Sequence, residues 1–254
     1  MIKISQLPAP AALTPTKVQE LTAAFIADCT TVWKGNGIPE QLLLSSHDKC
    51  CYCECNTAEE SKYMEVEHFK GKAQYPNDVV LWSNLLPSCK RCNSTKGTHD
   101  VIAEPIINPY VDTPSEHLSF SAYRLYGITP TGTTTIDAVD LNNRKRLTNV
   151  RYQIGVQLIE NLEALLSLTR DYHSGISQHT RRRNIIIGKL ETLLIESTPK
   201  SAYAATAATI LLGEPTYHQI KQMFEETHLW TAEFQALEDL ARSCVLPHRI
   251  NSAS

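Results

Sequence analysis

The sequence predicts an α+β chain, mostly helical, with a small stapled core between helical flanks. Three observations point there. Cysteines pair as Cys50-x-x-Cys53 and Cys89-x-x-Cys92 around one stretch. Between them, Met64-Glu65-Val66-Glu67-His68 starts with alternating apolar and polar side chains, the period of a strand. From Asn142 onward apolar residues recur every three or four positions, the period of a helix. The expected division is 1–46, an arm and helices; 47–117, the stapled core; and 118–254, a β-hairpin followed by helices.

Taken in order, Pro8 to Pro15 is a Pro/Ala arm. Thr16 opens a helical pattern through Trp33, with Val18, Leu21, Phe25 and Ile26 on one stripe. Gly35-Asn36-Gly37 ends it, and a short helix follows from Pro39 to His47. Lys70 to Asp78 reads as a loop, and Asn84 lies in a short apolar run that leads to the second cysteine pair. Pro105, Pro109 and Pro114 make 101–115 an extended connector. Residues 118–136 read as a hairpin, because Thr133-Thr134-Thr135-Ile136 is β-prone and Gly127, Pro130 and Gly132 punctuate it. Helices are then expected at 144–170, 178–197, 204–212, 217–227 and 231–242, with a loose tail after Pro247.

With 254 residues the chain suits one to two domains, and 42% apolar residues suffice for a real core. No apolar run approaches the roughly 18 residues of a membrane span. The N-terminus lacks a signal-peptide pattern, so a cytoplasmic, reducing setting is expected. There, eight cysteines favour metal binding over disulfides. A free-standing nucleic-acid binder is usually basic. With a net charge of −3, this chain must use local patches or a partner's charge.

Each C-x-x-C can bend into a knuckle that aims two thiolates at one point. Two knuckles supply the four sulfurs of a tetrahedral zinc. Cys51 and Cys55 form a competing C-x-x-x-C; Cys50 and Cys53 are preferred because their spacer matches that of Cys89 and Cys92. Four thiolates leave no open position, so this zinc would be structural. Between the knuckles, Glu67 offers a carboxylate for a hard divalent metal. His68 offers an imidazole that can take a proton near neutral pH. Asn93 begins a helix with an amide oxygen able to complete a metal shell, and Lys96 shares its side as a point charge for phosphate.

The order Cys-x-x-Cys, Glu67-His68, Asn84-Leu85, Cys-x-x-Cys-Asn93-x-x-Lys96 resembles the HNH, or ββα-metal, endonucleases. That resemblance implies a hairpin and a helix around one catalytic magnesium or manganese. It makes Glu67 and Asn93 the metal ligands and His68 the general base, with Asn84 holding the catalytic loop. Cys50, Cys53, Cys89 and Cys92 would bind the separate zinc. Glu67 stands where many members have Asp, and Asn93 where many have His; both keep an oxygen ligand.

Further segments resemble the PtuB-like HNH subunit of Septu and retron-associated anti-phage systems. They are Glu67-His68-Phe69-Lys70-Gly71-Lys72, Pro105 to Pro109, Glu116-His117-Leu118-Ser119-Phe120, and Thr135-Ile136 followed by Leu141-Asn142 and an Arg-rich helix. The likeness spans roughly residues 45 to 155. It implies phosphodiester hydrolysis of nucleic acid, DNA ahead of RNA, with an ATPase partner subunit. Beside such a motif the cluster Arg144-Lys145-Arg146 with Arg151 is a candidate phosphate contact, and Arg181-Arg182-Arg183 a second. The competing class is a zinc-stapled binding or adaptor module that does not cut. Glu67-His68, Asn84 and Asn93 in register argue against it, since a binder needs none of them together.

Overall fold

The computed structural model describes residues 1–58 and 63–248, so the tail expected after Pro247 lies, but for His248, outside the described residues. Thr14 caps α1 (Pro15–Asp28) by accepting from Lys17 N, and Pro15 fills a first-turn position where its missing N–H is not needed. The periodicity predicts a helix through Trp33. The chain stops at Asp28 instead, because Cys29 turns left-handed (φ 53°) and returns its N–H to Phe25 O. Trp33 is thereby freed from the helix and packs edge-on against Phe25 and His68, at ring distances of 5.9 and 4.7 Å. The short helix α2 follows (Ile38–Ser46), with Pro39 in its first turn.

β1 (Met64–His68) pairs antiparallel with β2 (Leu85–Cys89), with Met64 opposite Cys89 and His68 opposite Leu85. A two-stranded sheet has only edges, which is why Pro87 is tolerated in β2; its carbonyl takes Cys51 N–H at 2.8 Å. α3 (Lys90–Lys96) leaves directly from β2. Leu13, Phe25, Ile38, Leu42, Val66, Val79, Val80 and Leu85 bury together. The N-terminal helices therefore share one core with the hairpin rather than standing apart.

β3 (Leu118–Ser121) and β4 (Arg124–Gly127) form the second two-stranded sheet. The hairpin ends there. Residues expected to continue it form α4 (Pro130–Ala138), because Thr129 accepts from Gly132 N and Pro130 fills the first turn. The β-prone threonines lose to that local start signal. Gly132 is required on packing grounds: a Cβ there would sit 2.0 Å from His117 O.

The chain forms two compact units. One is Met1–Leu118 with Leu125–Asn142; the other is Ser119–Arg124 with the chain from Asn143. In the second unit a π turn (Arg144–Thr148) leads into α5 (Asn149–His173), followed by α6 (Thr180–Glu196), α7 (Ala204–Gly213), α8 (Pro215–Glu226) and α9 (Ala232–Arg242). Leu158, Leu162, Leu165, Ile186, Leu190, Leu194, Leu211, Tyr217, Ile220 and Phe224 form its core. Among the described residues no helix is long and apolar enough to cross a membrane.

Candidate active site and metal centre

The sulfurs of Cys50, Cys53, Cys89 and Cys92 all lie within 4.8 Å of one another. A tetrahedron with zinc–sulfur bonds of about 2.3 Å needs sulfurs about 3.8 Å apart. Cys53 Sγ and Cys89 Sγ are 3.8 Å apart, so the donor set fits zinc in chemistry and spacing. The second knuckle closes through Cys92 N–H, which donates to Cys89 Sγ at 3.5 Å. Arg91 Nη2 donates to Cys92 Sγ at 3.1 Å and Nη1 donates to Asp140 O, setting a cation against the thiolates. Cys51 stands outside the four; its N–H ties the first knuckle to β2. Cys55 is not among the four either.

β1 carries its side chains to alternate faces. Val66 and His68 face the aromatic core beside Trp33, whereas Glu65 and Glu67 face α3. His68 is 5% exposed, and its Nε2 lies 2.9 Å from Val79 O. A carbonyl only accepts, so Nε2 carries the proton and Nδ1 keeps its lone pair. Burial pushes the His68 pKa down to about 4, with the Lys72 and Lys96 charges acting in the same direction. The imidazole is therefore neutral at pH 7.

The loop that supplies Val79 O is held by Asn84. Its Oδ1 accepts from Lys70 N at 2.7 Å, while Nδ2 donates to Lys70 O at 3.1 Å and Asp78 O at 3.0 Å.

Glu67 is 3% exposed, and its Oε1 lies 2.6 Å from Lys96 Nζ. Burial pushes its carboxyl pKa up to about 7, against the pull of the Lys96 and Lys72 ammonium groups. Lys96 is equally buried and also donates to His68 O at 3.0 Å. Its ammonium is spent inside the fold, which corrects the expectation that it meets a phosphate. Asn93 lies one helical turn earlier, and its Nδ2 donates to Glu65 Oε2 at 2.7 Å. Asn93 and Glu65 line a cleft of about 510 Å³ with Trp33, Lys34, Tyr63 and Lys72. Sequence reasoning passed over Glu65 and Lys72. The signal for Glu65 was the strand period itself, which sets it on the same face as Glu67.

His99 Nε2 lies 2.7 Å from Glu104 O. His117 Nδ1 lies 2.8 Å from Thr129 Oγ1, a structural bond. In the second unit Arg144, Lys145 and Arg146 are exposed. Arg151 is 3% exposed inside α5, which corrects its assignment as a phosphate contact. Arg181 and Arg183 are exposed, whereas Arg182 is half-buried beside Asp171 and Ser177.

No protein-family profile matches the chain, and no solved structure matches it. Curated relatives do. The Septu protein PtuB of Bacillus thuringiensis is 44% identical over 227 residues, covering 89% of this chain and 88% of the relative. The Septu protein PtuB of Bacillus mycoides (strain KBAB4) is 28% identical over 222 residues, covering 67% of this chain and 75% of the relative. Protein ea31 of Escherichia phage lambda is 34% identical over 76 residues, 29% of this chain and 24% of that protein. Shared identity at 44% across nearly the whole of both chains places this protein in the Septu PtuB family.

Proposed function

We propose that the chain is a metal-dependent HNH endonuclease that hydrolyses phosphodiester bonds and serves as an effector of an anti-phage defence system. The observation that carries this reading is the state of His68. A neutral imidazole is anchored through Nε2 to a loop carbonyl, its loop is braced by Asn84, and a carboxylate and an amide lie toward the opposite face of β1. A module that only bound nucleic acid would need none of that bracing.

On this reading His68 Nδ1 removes a proton from the attacking water. Glu67 and Asn93 would hold a divalent cation through oxygen donors, as magnesium or manganese prefers. The bound cation would supply charge neutralisation at the phosphate and the departing oxygen. Asn93 fits that task directly, because among the described residues its Oδ1 accepts no hydrogen bond. Glu67 fits it with one condition: its Oε1 is shared with the Lys96 ammonium, so a cation would have to use the second oxygen or displace that ammonium. Lys72 and Lys34, both exposed at the cleft, are cations placed to meet a phosphate there.

The second unit supplies the remaining parts of the proposal. Arg144, Lys145 and Arg146 are exposed candidates for backbone phosphates, and the helices α5–α9 are candidates for docking an ATPase partner subunit. The Septu name of the relatives supports a multi-protein defence role. The test is digestion of DNA and of RNA by the zinc-loaded chain, alone and with its genomic neighbours, across magnesium and manganese series. Cutting that requires the cation supports the reading; metal-independent binding without cutting would favour the adaptor.

A further inference from the structure

Glu65 has no role in the reading above, yet its partner is a residue that reading needs. Glu65 and Glu67 share one face of β1, two residues apart. Asn93 and Lys96 share the facing side of α3, three residues apart. The four pair one to one: Lys96 Nζ with Glu67 Oε1 at 2.6 Å, and Asn93 Nδ2 with Glu65 Oε2 at 2.7 Å.

The second pair decides a question the sequence leaves open. An asparagine amide has a donor edge and an acceptor edge, and only the acceptor can hold a cation. An ionised carboxylate accepts and never donates. The edge turned to Glu65 must therefore be the NH₂ group. The remaining edge, Oδ1, is the one that accepts no hydrogen bond among the described residues. Both side chains line the same cleft of about 510 Å³.

We propose that Glu65 is a positioning residue that fixes the Asn93 amide with its oxygen toward the divalent cation; the proposal rests on the nuclease reading. Without Glu65 the amide is free to turn its NH₂ edge to the cation. A ligand held by a neighbour of this kind typically loses about 10- to 100-fold in metal affinity when the neighbour is removed. Glu65 is not itself assigned as a ligand.

The test is manganese binding to the full, zinc-loaded chain, read from the electron paramagnetic resonance signal of free Mn²⁺, with zinc content and melting temperature followed in parallel. Glu65→Ala should weaken Mn²⁺ binding by about 10- to 100-fold with zinc retained. Glu65→Gln can still accept from Nδ2 and should stay within about threefold of wild type, close to what independent sites show. In an Asn93→His background there is no amide to orient, and adding Glu65→Ala should again cost less than about threefold. Unchanged binding in Glu65→Ala overturns the proposal and leaves the nuclease reading standing. Equal losses in Glu65→Gln and Glu65→Ala, or a full loss in the Asn93→His background, overturn it by making the carboxylate itself the ligand. No Mn²⁺ binding by wild type at any concentration removes the nuclease reading and the proposal with it.

Discussion

Asn84→Ala should unfasten the loop that orients His68, and its cost can be worked from the structure. Three hydrogen bonds disappear, leaving Lys70 N–H, Lys70 C=O and Asp78 C=O without that partner. Asn84 is 4% exposed, so water does not readily take its place. At about 1 kcal/mol for each bond, the loss is about 3 kcal/mol. That corresponds to a fall of roughly 6–12 °C in the transition of the first unit. Asn84→Asp should be no milder. It keeps the acceptor for Lys70 N–H but aims carboxylate oxygens at two carbonyls. The assay is thermal unfolding combined with hydrogen exchange at the Lys70 amide. The reasoning is refuted if Asn84→Ala costs less than about 1 kcal/mol while the Lys70 amide stays protected.

Cys89→Ser should release the zinc and unfold the first unit, because binding energy at such sites is folding energy, whereas Cys51→Ser should keep one zinc per chain; metal analysis of both variants checks the ligand choice. The His68 ring should titrate near pH 4 rather than near 6.5, as seen in its proton NMR shift. A histidine whose folded pKa is lowered destabilises the fold as acid is added. The stability it contributes is present above about pH 6.5 and lost as pH falls toward 4, so His68→Gln should flatten that part of the pH–stability curve.

The site was legible because its residues are close in sequence and their spacing carries the geometry. Matched two-residue spacers identified the four sulfurs that cluster, and the Glu67-His68 step in a strand forecast their divergence to opposite faces. What was not legible depends on partners far along the chain. Lys96 reads as an exposed phosphate contact until β1 and α3 are seen to bury it against Glu67. Arg151 reads as part of a basic cluster until α5 turns it inward. In the fold, the helix periods of the second unit were plain from apolar spacing. The segment after Gly127 was not, because β propensity at Thr133 to Ile136 is weaker evidence than the Thr129–Pro130 start signal beside it. The helix end at Cys29 was also hidden, since a left-handed cap at a cysteine has no composition signal.

The central claim is that His68 serves as the proton acceptor of a metal-dependent nuclease. The most direct test is digestion of DNA and RNA by folded, zinc-loaded His68→Ala beside wild type and Asn93→Ala, each across a magnesium series. His68→Ala should lose roughly 10²–10⁴-fold in cutting, with zinc content, fold and nucleic-acid binding unchanged and with no recovery at high magnesium. Asn93→Ala should lose cutting but regain part of it as magnesium rises. Cutting by His68→Ala at a rate near wild type would contradict the account.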